Sequence, residues 1–140
     1  MKRRIMIGLN EMVEEGEKEM YAVELASFLK VTGVETFIYA DKVLENRVTK
    51  KANERNIKMT DRFHEGVGTL KGEFLAYVAL DDWAVDNVPL NLDFEKQMKA
   101  GTGKSAAITA GEIIKSIKNE RNITAEGTSE DRKPARKRKG

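Results

Sequence analysis

The chain has no cysteine and a single histidine, His64. Disulfides, cysteine-ligated zinc, iron–sulfur clusters and thiol nucleophiles are thereby excluded, as is any metal site built on several imidazoles. Aromatic residues are scarce, at 6%, so the core is expected to be aliphatic and modest. No apolar run approaches the roughly 20 residues needed to cross a bilayer. The opening MKRRIMIGLNEMVEEGEKE turns acidic too soon to hold a secretory signal. An intracellular, cytoplasmic protein without membrane partners is expected, or a nuclear one if the host has a nucleus. No motif calls for a cofactor.

What is present is charge, unevenly placed. The last nine residues, RKPARKRKG, contain six cations and no acid. With those six set aside, 19 of the 25 Lys and Arg residues face 23 Asp and Glu, so the body carries −4 and the tail +6. A whole-chain net charge of +2 conceals this split.

At 140 residues the chain has room for one core. RIMIGL, residues 4–9, suits a buried strand. In EKEMYAVELASFLKVTG, residues Tyr21, Leu25, Phe28 and Leu29 mark one face of a helix, and Gly33 sits where a C-terminal cap belongs. VETFIYA, residues 34–40, then reads as a second strand ending at Asp41. Strand, helix and strand within that length predict a βαβ unit with parallel strands.

Residues 42–56 suggest a thin amphipathic helix with Val43, Leu44, Val48 and Ala52 inward and Arg47, Lys50, Lys51 and Arg55 around them. EFLAYVAL, residues 73–80, is the strongest strand, with residues 67–70 a candidate hairpin arm about Lys71 and Gly72. A short helical segment is expected near 92–99 and a final helix at roughly 104–119. Together these predict a single small α/β domain, residues 1–120, with a three- to four-stranded, partly parallel sheet and a C-terminal helix. Residues 121–140 are expected to form a flexible basic tail.

Three features of the chain could carry chemistry. MKAGTGKSAAITAGEII ends like a phosphate-binding loop at Gly103, Lys104 and Ser105, but Met98 stands where the first glycine belongs. It reads instead as a joint between two helices, capped by Thr102 or Ser105, with Ala106, Ala110, Ile113, Ile114 and Ile117 facing the core. Second, Asn10, Glu11, Glu14, Asp41, Asp81 and Asp82 fall at strand ends, where an open parallel sheet binds ligands. Asp41, Asp81 and Asp82 could there share Mg²⁺ for phosphoryl transfer or a nuclease-type reaction. Loops are also rich in such residues for solvation alone. His64 reads as a surface or capping residue, and Trp83 as a core edge or an interface anchor.

The third feature is the tail. Arg132, Lys133, Arg136, Lys137, Arg138 and Lys139 can follow a phosphate backbone without sequence preference. Lys2, Arg3, Arg4 and the cations of 47–55 could extend that surface. A targeting signal, a solubility aid, or docking on an acidic protein surface, including a neighbouring copy, would use the same residues. The leading expectation is a non-enzymatic small subunit of a nucleoprotein or viral or phage-type assembly, its body touching other subunits and its tail touching nucleic acid. A Mg²⁺-dependent enzyme and a protein–protein adaptor or oligomeric scaffold are the alternatives.

Overall fold

The computed structural model describes residues 4–61, 73–89 and 92–125. Residue 8 and its neighbours lie in β1 (Arg4–Met12), which leads through α1 (Glu17–Val31) to β2 (Glu35–Val43). Then follow α2 (Arg47–Glu54), β3 (Lys58–Asp61), β4 (Glu73–Phe74), β5 (Ala76–Ala79) and α3 (Asp82–Asp86). The chain closes with β6 (Asp93–Phe94), β7 (Gln97–Lys99) and α4 (Ala106–Ala125). The fold is α/β, as its sequence predicts, but the main sheet has five strands rather than three or four, in the order β3-β2-β1-β5-β7. Every pairing in it is parallel.

The central strand explains why. Ile5, Ile7 and Leu9 point to one face and Met6 to the other, all without exposure, and a strand apolar on both faces belongs inside a covered parallel sheet. Helices α1, α2 and α4 cover the first face, with Val23, Leu25, Leu29, Val48, Ala52, Ile113 and Ile117 in one core. The second face is an aromatic cluster of Phe37, Tyr39, Phe74 and Tyr77, closed by α3 through Ala84 and Trp83. Trp83 stacks obliquely on Tyr39 at 5.7 Å between centroids, so it lies at the core edge.

The βαβ unit forms as expected, with Arg4 to Met12 in register with Glu35 to Val43. Gly33 takes φ +91° just past α1, the left-handed turn for which its sequence position suits it. The buried stripe of α1 is rotated from the expected one. Ala22, Val23, Leu25, Ala26 and Leu29 face the sheet, whereas Phe28 is 42% exposed. The two alanines let the helix approach closely, and Phe28, one residue before Leu29, is turned about 100° from it around the helix. Helix α2 starts at Arg47, later than expected, because Asn46 caps it. The Asn46 Oδ1 accepts from Val48 and Thr49 N–H at 2.8 and 3.0 Å, and Thr49 Oγ1 accepts from Asn46 N–H.

Residues 92–99 are a correction. They form β6 and β7, not a helix. Leu92, Phe94, Lys96, Met98 and Ala100 are the less exposed positions, and Asp93, Glu95, Gln97 and Lys99 are exposed, a strict alternation of period two. β6 pairs with β4 in a small second sheet, where Phe94 packs on Phe74 and Tyr77. The 73–80 strand is likewise split at Leu75, so that β4 joins the small sheet while β5 joins β1. The candidate hairpin arm at 67–70, with Lys71 and Gly72, lies outside the described residues. Arg4 is also displaced from its expected surface role. It is 7% exposed, with its guanidinium 4.3 Å from the Phe74 ring.

Candidate functional site

A parallel sheet offers a crevice where consecutive connections leave in opposite directions, beyond the strands' carboxyl ends. Here the chain moves from β1 outward to β2 and β3, and from β5 outward to β7, so that point lies between β1 and β5. Asn10 and Glu11 on β1, Asp81 and Asp82 after β5, and the start of α1 converge on it. Asp81 is the centre. Its Oδ2 accepts from the Asn10 N–H at 2.7 Å and the Lys18 ammonium at 2.8 Å. Its Oδ1 accepts from the Ala84 N–H at 2.9 Å and caps α3.

This arrangement fixes the charge of the carboxylate. Burial alone would raise the Asp81 pKa, but hydrogen bonds from Lys18, Ala84 and Asn10, together with the Lys18 charge, outweigh it and hold the pKa below its ordinary value. Both oxygens are engaged, and the side chain is 17% exposed. Asp81 therefore ties together the end of β1, the first turn of α1 and the start of α3. The crevice is bridged by the protein's own ion pair.

The other strand-end carboxylates are arranged around it. β2 continues past Asp41 to Val43, and the pairing of Leu9 with Ala40 and Glu11 with Lys42 puts Asp41 level with Asn10. Asp41 and Asp81 thus share one edge of the sheet, as a shared-ion arrangement requires. Asp82, however, turns outward at 89% exposure and pairs with Lys99 at 2.6 Å. That contact raises the Lys99 pKa, through the Asp82 hydrogen bond first. Among the described residues, no three His, Asp or Glu side chains come together as ligands for an ion. Glu15 accepts from Arg47 through its guanidinium at 2.7 and 3.0 Å and its backbone N–H at 3.0 Å. These bonds lower the Glu15 pKa and tie the loop after β1 to the start of α2.

The glycine-rich stretch changes context. It leaves β7 and enters α4, so it joins a strand to a helix, not two helices. Ser105 is the cap, its Oγ accepting from the Ile108 N–H at 3.2 Å. Lys104 reaches along the helix to Glu112 at 2.8 Å instead of toward the loop. The expected α4 stripe is confirmed: Ala106, Ala110, Ile113 and Ile117 are buried, with Ile114 packed beside them.

On the aromatic face a cavity of about 190 Å³ lies beside β7, lined by Tyr77, Ala79, Val85, Val88, Met98, Gln97 and Lys99. That is below the roughly 300 Å³ at which drug-sized ligand sites begin. Tyr77 supports its inner wall. The phenol is buried and donates to the Ala84 carbonyl at 2.8 Å, and burial, with the Tyr39 and Asp81 charges adding, pushes its pKa far above the ordinary tyrosine value. Sequence reasoning found Asn10 and Asp81 from strand ends alone. It missed Lys18 and Tyr77, because neither stands in a local pattern and Lys18 lies 63 residues from its partner. The tail cations Arg132, Lys133, Arg136, Lys137, Arg138 and Lys139, the N-terminal Lys2 and Arg3, and His64 lie outside the described residues. No protein-family model and no curated protein matches this chain.

Proposed function

We propose that the protein is a non-enzymatic subunit of a nucleoprotein assembly, gripping nucleic acid through its basic tail while its folded body meets other protein subunits. The observation that carries this reading is the charge split, −4 in the body against +6 in the final nine residues. Six closely spaced cations neutralise phosphates and release their counterions irrespective of sequence. The body supports the reading by what occupies its crevice. Asp81 spends both oxygens on Lys18 and on backbone N–H groups, and Asp82 is paired with Lys99. Carboxylates so engaged are poor ligands for Mg²⁺, which wants unencumbered oxygens and near-octahedral geometry.

The test compares the full chain with a version ending at Asp131 on one labelled duplex across a salt series. The full chain is expected to bind with a log–log salt slope of about −5, from six neutralised phosphates at roughly 0.9 each. The shortened chain should lose most of that affinity and slope. Equal affinity for both chains would overturn the proposal and turn attention to the body.

A further inference from the structure

The cavity of about 190 Å³ beside β7 is bounded by elements that the fold pins in place. The register of β5 with β7 sets Tyr77 against Gln97 and Ala79 against Lys99, so these four side chains leave one face of the sheet together. Tyr77 and Ala79, both buried, form the floor, and Val85 and Val88 form the wall on the α3 side. The Tyr77 hydroxyl donates to the Ala84 carbonyl at 2.8 Å, and Asp81 caps α3 through the Ala84 N–H at 2.9 Å. The Tyr77 and Ala100 N–H groups donate to the Lys96 and Ala79 carbonyls at 2.9 Å each and fasten β7 to β5. Lys99 then donates to Asp82 at 2.6 Å and joins β7 to the start of α3. Walls fixed in this way relax into a void only in part.

The lining is apolar within and polar at the mouth. Gln97 and Lys99 are exposed there, and both carry N–H donors. Of the three hydrogens on the Lys99 ammonium, one goes to Asp82, which leaves two. The Lys99 and Asp82 side chains are 57% and 89% exposed, and a pair so open to water contributes little, so a second anion can share the ammonium. Volume sets the size of what enters. A cavity of about 150 Å³ lined by aliphatic and aromatic side chains takes up benzene, whereas a drug-sized ligand needs roughly 300 Å³ or more.

We infer that this cavity is a binding site for a small carboxylate whose apolar body is about one ring in size. The body rests on Tyr77, Ala79 and the two valines, and the carboxylate stays at the mouth with Lys99 and Gln97. Concave sites of this kind are mostly apolar, with a few polar groups that fix the ligand's orientation. A neutral ring of the same size would fill the floor but leave the free Lys99 hydrogens to water. The site stands apart from the nucleic-acid role proposed above, because none of its residues belongs to the tail, so either can fail without the other.

The experiment titrates benzoate, and benzyl alcohol as a neutral ring of similar size, into the full chain and follows the amide signals by two-dimensional nuclear magnetic resonance. Benzoate should bind saturably with a Kd on the order of 1 mM, moving the signals of Tyr77, Ala79, Val85, Val88 and β7. Benzyl alcohol should move the same signals and bind more weakly. Lys99→Met keeps the apolar stem and should weaken benzoate roughly twofold to fivefold, the worth of an exposed ion pair, while leaving benzyl alcohol unchanged. Asp82→Asn should strengthen benzoate by a similar factor, because Lys99 loses its competing partner. Val85→Trp enlarges an exposed wall residue and should abolish binding of both, with the spread of the amide signals confirming that each variant is folded. Shifts that fail to saturate would overturn the inference, as would benzoate binding indifferent to Lys99→Met or to Val85→Trp. A salt-resistant dimer that Val85→Trp dissolves would overturn it too, since the cavity would then hold a side chain of a second copy.

Discussion

Gly8→Ala should destabilise this protein far more than an added methyl in a strand ordinarily would. Gly8 lies in the central strand, on the face where Tyr77 crosses from β5. A Cβ at residue 8 would press on the Tyr77 hydroxyl, stand 2.7 Å from its Cζ and 3.1 Å from the Ala84 Cβ. The ring has little room to yield, because Tyr77 is 1% exposed and packs on Phe94 at 5.1 Å between centroids. Relief requires the phenol to leave the Ala84 carbonyl. Overpacking of this kind costs about 1–3 kcal/mol, and the lost hydrogen bond adds about 1 kcal/mol. The smaller entropy of an unfolded chain with alanine returns about 0.4–1 kcal/mol. The net expectation is about 1–3.5 kcal/mol, read from urea unfolding followed by the fluorescence of Trp83, the only tryptophan. Tyr77→Phe alone should cost about 1 kcal/mol, but added to Gly8→Ala it should cost almost nothing, because the bond is already broken. A coupling near 1 kcal/mol is the signature. A Gly8→Ala protein within 0.5 kcal/mol of the parent, or strict additivity in the double variant, would refute this account of the contact.

Two further variants probe the carboxyl edge and its helices. Asp81→Asn keeps the shape but loses the charge shared with Lys18 and is expected to cost about 1–3 kcal/mol at neutral pH. Because the folded Asp81 pKa lies below its unfolded value, its contribution is full above the unfolded pKa of about 3.9 and is lost as pH falls below it, so the Asn variant should show a flatter acid limb in thermal melts. Tyr77 acts at the opposite end. Its folded pKa is raised, so its stabilisation is full below pH about 10 and declines above that, and Tyr77→Phe should remove this alkaline loss in the same melts. Asn46→Ala removes the oxygen that accepts from the Val48 and Thr49 N–H groups at the start of α2 and should lower stability by about 1 kcal/mol in urea titration, with Asn46→Ser recovering most of it.

The parts of the fold that could be read from sequence are those whose signal is local. The βαβ unit declares itself through an apolar run, a helical stripe and Gly33, and the α4 stripe is regular over about three turns. Residues 92–99 show where local reading fails. Their alternation of Leu92, Phe94, Lys96, Met98 and Ala100 is that of a strand, but lysine fills one inward place and charge dominates composition. A three-residue edge strand at the sheet margin buries little, so hydrophobicity marks it weakly. The rotation of the α1 stripe was hidden for a related reason. Phe28 is bulkier than Ala22 or Ala26, and size suggests burial, yet close approach to the sheet favours the small residues. The Asp81 junction was half visible. Its position at a strand end follows from topology, but its partners depend on which strands neighbour β1, a fact set by long-range pairing alone.

That junction also bears on how the molecule divides its work. In a ligand-binding sheet of this topology, the loops around the central strand leave N–H groups and carboxylates open to the ligand. Here the Asn10 and Ala84 N–H groups and the Lys18 ammonium, each the kind of donor such a crevice would offer, are all spent on Asp81. One carboxylate satisfies the end of a strand and the first turns of two helices, and it does so in a partly buried setting where an unpaired charge would be costly. A ligand would have to displace Lys18 and replace two backbone bonds before gaining any contact of its own. The outer face of the helix layer asks no such exchange. Phe28 and Val31 are already exposed. The junction is therefore better suited to hold the sheet and helices rigid than to bind.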